Sequence, residues 1–238
     1  MSGFLYGAVL QWKLDLRSRT MLITCYAVPL TFFAIMGGIF TSILPETADT
    51  LVSSMTVFAV SMGALIGLPP SLAEIYRSDI KNADQANGVP LALGLVLTNI
   101  SAFVHLFMMS LILYVIAPIA FDVKVPQNPG LHFCGLIILI IVSLGVASIL
   151  GLAVKDTANT SMLSILIFLP SIMLSGIMFP TDLLPKAFGM AGKLFPATWG
   201  YAFMTESDFS WHILWPLLFI LGMAVLLCVA LLRRIERR

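Results

Sequence analysis

Apolar residues run almost unbroken through six stretches of this chain: roughly Met21–Leu44, Leu51–Leu72, Leu91–Ala117, Leu131–Val154, Ala158–Met178 and Trp211–Leu232. Each is long enough for a helix to cross a hydrocarbon core, which takes about 20 mostly apolar residues. The runs do not alternate apolar with polar, so they predict helices and not barrel strands. Residues 2–18 follow another pattern. Leu5, Val9, Trp12 and Leu16 share one helical face, while Gln11, Lys13, Asp15 and Arg17 lie largely elsewhere. That spacing predicts an amphipathic helix on the membrane surface with Trp12 at headgroup level. Between the fifth and last runs, residues 179–210 are too apolar for an ordinary loop and too rich in proline for a span. They predict a structured segment that dips into one face of the membrane.

Composition agrees with this pattern. Of the 238 residues, 59% are hydrophobic and only 11% charged, against about 25% charged in soluble domains. The expected architecture is an all-α integral membrane protein with one transmembrane domain over residues 1–238. Basic residues orient it. Ten of the 13 Lys and Arg fall on the side of the termini, and the other three are Lys124, Lys186 and Lys193. The expected location is the plasma (inner) membrane, multi-pass, and the positive-inside rule predicts that both termini lie in the cytoplasm. The broken segment then faces outward. Residues 1–20 do not read as a signal peptide, because Lys13, Asp15, Arg17 and Arg19 interrupt any apolar core.

Candidate chemistry is sparse. There is no phosphate-binding GxxxxGK[ST] loop, no HExxH and no CxxC. Cys25, Cys134 and Cys228 lie far apart, which predicts neither a disulfide framework nor a metal site. Among acidic, basic and histidine side chains only His105 lies well inside a span, with no partner evident in the sequence, and it reads as packed or pore-facing. No span carries a central carboxylate, which argues against coupling to protons or sodium. Energy for pumping must then come from another protein. The segment Glu74–Pro90 on the inner side is the place to receive it. Ile75, Asp79, Ala83 and Ala86 fall at helical spacing, and Gly88 and Pro90 end the run. The same residues also fit a solvated connecting loop.

Two faces match in the second and fifth runs. Ser54, Phe58, Ser61, Leu65 and Leu68 are spaced 4, 3, 4 and 3; Ser161, Ser164, Phe168, Ser171 and Ser175 are spaced 3, 4, 3 and 4. Each set is one helical face that mixes hydroxyls with a phenylalanine. Such faces suit a path for an amphipathic solute, and equally suit tight helix packing. Ser143, Ala147 and Gly151 form a small-residue seam that reads as packing. Pro69-Pro70 should bend or end the second span.

One further set of residues is more specific. Ser175-Gly176, Phe179-Pro180, Leu184-Pro185 and Pro196-Ala-Thr-Trp199 resemble the Ser-Gly, Phe-Pro, Leu-Pro, Pro-x-Thr signature of ABC type-2 transporter permeases, the membrane subunits of ABC exporters. The inner loop departs from that family's pattern: Asp79 and Pro90 match, but Ile80-Lys81 stands where Gly-Thr is usual. The resemblance implies an ABC type-2 exporter fold with six transmembrane helices, the interfacial helix and short re-entrant helices between spans 5 and 6. It implies a permease without catalytic or metal-binding residues. ATP and Mg would sit on a separate ATP-binding subunit, present in two copies, and a second permease half would complete a homo- or heterodimer in the lipid bilayer. Nucleic acid has no part in it. Ile75, Asp79, Ile80, Lys81, Ala83 and Asp84 would couple to the ATPase. Ser54, Phe58, Ser61, Ser161, Ser164, Phe168, Ser171 and Ser175 would line the translocation path. Gly176, Phe179, Pro180, Pro185, Pro196 and Trp199 would frame an external gate. The cargo implied is an amphipathic compound, an antibiotic or a peptide; polysaccharide or lipid-linked glycan export shares the scaffold. A non-pumping scaffold or immunity protein is the reading outside this class.

Overall fold

The apolar runs fold into a bundle of long helices. The structure is a computed structural model that describes residues 3–43, 45–77, 90–154, 156–178, 184–206 and 208–236. The segment expected to be amphipathic forms helix α1, Gly3–Arg17. Among the described residues five helices are long and apolar enough to cross a membrane: α2 (Arg19–Ser42), α3 (Ala48–Tyr76), α4 (Leu91–Phe121), α5 (Pro129–Ala153) and α9 (Trp211–Glu236). The fifth apolar run forms a shorter helix, α6 (Thr157–Met173). Its 17 residues give about 25 Å of helix, short of a hydrocarbon core of about 30 Å. It stops there because Leu174–Gly176 turn away, with Gly176 at φ 88°, a left-handed conformation that only glycine adopts without strain. Two short helices follow, α7 (Lys186–Gly192) and α8 (Pro196–Thr205).

α3 is the hub. Of its most apolar 18 residues 94% are buried, against 22% for α9, whose outward face of Trp215, Phe219, Met223 and Leu226 is exposed. The seam of Ser143, Ala147 and Gly151 is buried in α5, and Gly151 lies against Leu72 and the Pro69 carbonyl of α3. It packs, as its spacing predicts. α9 runs from Leu214, clustered with Leu131 and Phe203, to Leu232, beside Ala92 at the start of α4. Its C-terminal end therefore lies at the end of the bundle that holds α1.

Pro69-Pro70 do not end the second span. The helix continues through both to Tyr76, four residues past the predicted Leu72. A proline removes one backbone hydrogen bond and clashes with the carbonyl four residues earlier. For Pro69 and Pro70 those carbonyls belong to Leu65 and Ile66, inside a π-turn at Gly63–Gly67. For Pro29 of α2 the carbonyl is that of Cys25, inside a second π-turn at Ile23–Ala27. In each case the wider turn opens the ladder where the ring needs space. The two π-turns pack on each other: Cys25, fully buried, sits against Gly63 and Gly67.

Candidate functional site: a hydroxyl seam, a polar cluster and a folded-back hairpin

Helical periodicity brings the two serine faces together. Ser54, Ser61, Ser164, Ser171 and Ser175 are buried, and so are Phe58 and Phe168. Ser161 is half-buried and donates to the Thr157 carbonyl at 2.9 Å. Phe58 of α3 meets Phe168 of α6 edge to face, with ring centroids 5.8 Å apart, and stacks on Phe32 of α2 at 3.9 Å. The seam is closed within the single chain by these three rings.

Hydrogen bonding along the seam is incomplete. A helical serine usually satisfies its hydroxyl on the carbonyl one turn back, as Ser110 does on Leu106 at 2.8 Å. Ser175 donates to the Ile172 carbonyl at 2.8 Å. The hydroxyls of Ser54, Ser164 and Ser171 are buried with no hydrogen-bond partner. An unpaired buried polar group costs about 1–3 kcal/mol, so this seam holds polar atoms that gain from a solvent or ligand partner.

A second group of polar atoms gathers at the end that carries α1. On α1 the face of Leu5, Val9, Trp12 and Leu16 is exposed, as its spacing predicts. The polar residues divide. Lys13 and Arg17 point outward, whereas Gln11 and Asp15 turn toward α4 and are only partly exposed. Gln11 donates to Asp15 Oδ1 at 3.1 Å, and Asp15 Oδ2 is buried without a partner. Burial raises the Asp15 carboxyl above its ordinary pKa of 3.8; Ser101, Gln11 and His105 oppose that rise. His105 does have a partner: the Tyr26 hydroxyl of α2 lies 2.8 Å from Nδ1 and 3.4 Å from the His105 carbonyl. The shorter contact takes the single phenolic proton, so we assign Nδ1 as acceptor and place the imidazole proton on Nε2. Nε2 is buried and unpaired, and so is the Ser101 hydroxyl one turn earlier on the same face. The Trp12 ring lies 6.4 Å from that of His105. Sequence spacing pairs Ser101 with His105 and Gln11 with Asp15. It does not show that the two pairs meet.

The segment beyond α6 is tied differently. Thr198 Oγ1 donates to the Gly192 carbonyl at 2.6 Å, and Trp199 Nε1 donates to the Lys193 carbonyl at 2.7 Å. These bonds clamp the first turn of α8 to the end of α7. Pro196 stands at the first position of α8, where its missing N–H costs nothing. Gly192 presses on the backbone of Leu174, so a Cβ there would lie 2.5 Å from the Leu174 carbonyl oxygen. Gly200 of α8 lies on Leu139, and Phe203 lies on Gly135. Leu139 is ten residues into α5, about 15 Å from its start at Pro129. α8 therefore begins about halfway along α5 and runs back toward the start of α5. Ser53 near the start of α3 donates to the Met204 carbonyl at 3.4 Å. Of the expected gate residues, Gly176, Pro185, Pro196 and Trp199 belong to this hairpin. Phe179 and Pro180 lie outside the described residues.

Of the expected coupling residues, Ile75 sits in the last turn of α3 and is half-buried. Asp79, Ile80, Lys81, Ala83 and Asp84 lie outside the described residues. Tyr76 beside them donates to the Leu91 carbonyl at 2.6 Å, which joins the end of α3 to the start of α4. Among the described residues no cluster of His, Cys, Asp and Glu could hold a metal ion.

Comparison with curated proteins finds no match. A family profile described as ABC-2 type transporter matches residues 3–209, which include α1, all the helices through α8 and the Ser-Gly to Pro-x-Thr signature. That family supplies the transport permease component of ABC transporters and not a catalytic unit. This chain, a multi-pass membrane protein, belongs to the ABC-2 type transporter family.

Proposed function

We propose that this chain is the permease half of an ATP-driven exporter for an amphipathic compound, an antibiotic or a peptide. Two such halves pair, each over a separate ATP-binding subunit. The observation that carries the proposal is the seam between α3 and α6: two complementary hydroxyl faces, closed by Phe58 and Phe168, with Ser54, Ser164 and Ser171 lacking partners. A purely structural seam has no use for such atoms. A path that is shut in one state and wetted or filled in another does.

Six crossings follow if α6 counts as the fifth, extended toward the membrane surface by residues 174–178. Ten of 13 basic residues then share the side of both termini, which supports a cytoplasmic location for both ends. The α7–α8 hairpin becomes the re-entrant external gate; the mid-depth start of α8 supports this. Residues 74–90 receive the motion of the ATPase, and the π-turns at Ile23–Ala27 and Gly63–Gly67 give it compliance at the adjoining ends of α2 and α3.

The test is co-purification with an ATP-binding chain encoded beside this one, followed by ATPase assay in vesicles. Replacing residues 79–84 by Gly-Ser should lower cargo-stimulated hydrolysis about tenfold or more with the complex intact. Unchanged hydrolysis overturns the coupling assignment. Phe58→Leu and Phe168→Leu, which keep most of the buried volume, should each change the cargo profile. Unchanged profiles in both remove the path.

A further inference from the structure

Eight buried side-chain polar atoms lack partners among the described residues, and three of them converge at one place: Asp15 Oδ2, Ser101 Oγ and His105 Nε2. They come from two elements. Ser101 and His105 stand four residues apart on one face of α4, and α1 lays Asp15 and Trp12 against that face. His105 is 1% exposed. Its other nitrogen is already held by Tyr26 at 2.8 Å. The unpaired set comprises one acceptor, the covered carboxylate oxygen, and two donors, Nε2–H and the serine hydroxyl. Isolated buried polar groups of this kind call for an explanation.

We propose that Asp15 and His105 form a shared proton-binding site that latches the interfacial helix α1 onto α4. The ligand is one proton per chain. Without it the pair carries a carboxylate beside a neutral imidazole, and one carboxylate oxygen is charged and covered, with the Ser101 hydroxyl near it but beyond full hydrogen-bond distance. That arrangement is expensive in a poorly solvated place. With the proton the pair has no net charge, whether it is held as acid and imidazole or as carboxylate and imidazolium, and the proton belongs to the dyad. The cheapest relief on deprotonation is for α1 to swing off, so that Asp15 reaches water. Of its apolar side chains Leu5, Val9 and Leu16 are exposed and do not tie it to the bundle, whereas Gly7 lies on Leu97 of α4.

Among the described residues no lysine or arginine, Arg19 included, is within ion-pair distance of Asp15. From its own helix Asp15 receives the Gln11 amide at 3.1 Å, while Lys13 and Arg17 are exposed on another face. From α4 it faces Ser101 and His105, and from α2 it faces Cys25 and, through His105, Tyr26. The sign follows from the raised Asp15 carboxyl. The docked state holds the Asp15 proton more tightly than the undocked one, so the contribution of this carboxyl to docking is fully present below the ordinary carboxyl range. It weakens as pH rises through the docked value. The site also lies beside the π-turn at Ile23–Ala27, which contains both Cys25 and Tyr26. Release of α1 thus frees one side of the hinge that borders α3.

Trp12 reports on the site, because its ring lies 6.4 Å from that of His105 and an imidazolium quenches indole emission. The experiment uses the full chain in lipid nanodiscs with Trp199, Trp211 and Trp215 replaced by Phe, titrated from about pH 4 to about pH 8. Emission should change in a single step. Asp15→Asn and His105→Gln should each abolish the step or move it by more than about one pH unit, and Lys13→Gln should leave it in place. The unmodified chain gives a second readout. Amide exchange in α1, corrected for intrinsic pH dependence, should rise about tenfold across the step, and by less than about twofold in Asp15→Asn. A wild-type chain with no step overturns the proposal. So does an unchanged step in Asp15→Asn, or loss of the step in Lys13→Gln.

Discussion

The two ends of this bundle solve the same problem in opposite ways. At the end away from the termini, broken backbone is paid for bond by bond. Gly176 supplies the left-handed turn, Thr198 and Trp199 cap the carbonyls left by α7, and Gly192 lets the hairpin press on Leu174. At the end that carries α1, regularity is relaxed and polar atoms are left over. Two π-turns face each other across Cys25, and Asp15, Ser101 and His105 each keep an unpaired atom. Groups whose needs are met hold one conformation. Groups whose needs are unmet lower the cost of another. The comparison assigns the fixed frame to the hairpin and the moving parts to the π-turns, α1 and the serine seam.

The largest effects should separate those ends directly. Gly192→Ala places a Cβ 2.5 Å from a backbone oxygen, and backbone cannot step aside. It should cost about 3 kcal/mol or more, read as loss of monodisperse protein or a large fall in denaturant midpoint. Gly63→Ala meets the tip of Leu106, with Cys25 Sγ at 3.2 Å. A leucine tip can rotate and a π-turn can shift, so about 1–2 kcal/mol is expected. Equal costs at the two glycines would break the comparison. Next in size is Thr198→Val, which leaves the Gly192 carbonyl without its donor and should cost about 1–2 kcal/mol. Trp199→Phe should cost about 1 kcal/mol or less, because that bond is exposed and water can replace it.

The sequence made much of this bundle legible, for identifiable reasons. Spans are read from continuous apolar runs, and only α6 falls short, because Gly176 needs a turn that hydropathy does not register. The faces of Ser54–Phe58–Ser61 and Ser164–Phe168–Ser171 follow from a period of 3.6, and their meeting required only that the two helices be neighbours. Gly176 and the Pro196–Trp199 run stood out because rare residues repeat a known order. The continuation through Pro69-Pro70 was hidden, since a proline announces a lost hydrogen bond but not the π-turn that absorbs it. That turn packs on Cys25, some 40 residues away in the chain. The partner of His105 was hidden for the same reason. Tyr26 is 79 residues distant, and the polar stripe of α1 that meets the same face looked like the solvent side of a surface helix. Local periodicity tells which residues share a face. It does not tell what that face meets.

The smallest expected change is the most discriminating. The hydroxyls of Ser164 and Ser171 are buried and bonded to nothing, so Ser164→Ala and Ser171→Ala remove no interaction in this state. Each should leave stability within about 0.5 kcal/mol of wild type, or raise it by up to about 1 kcal/mol through relief of an unpaired polar atom. Ser175→Ala is the contrast. Its hydroxyl donates to the Ile172 carbonyl and accepts from the Ile177 amide, so its loss should destabilise by about 1 kcal/mol. The same three variants should rank the other way in cargo-stimulated ATP hydrolysis, with Ser164→Ala and Ser171→Ala changed most. Hydroxyls that do nothing for the closed seam are then maintained for the open one. If all three variants lose stability equally and hydrolysis is unaffected, the seam is ordinary packing and its unpaired atoms carry no function.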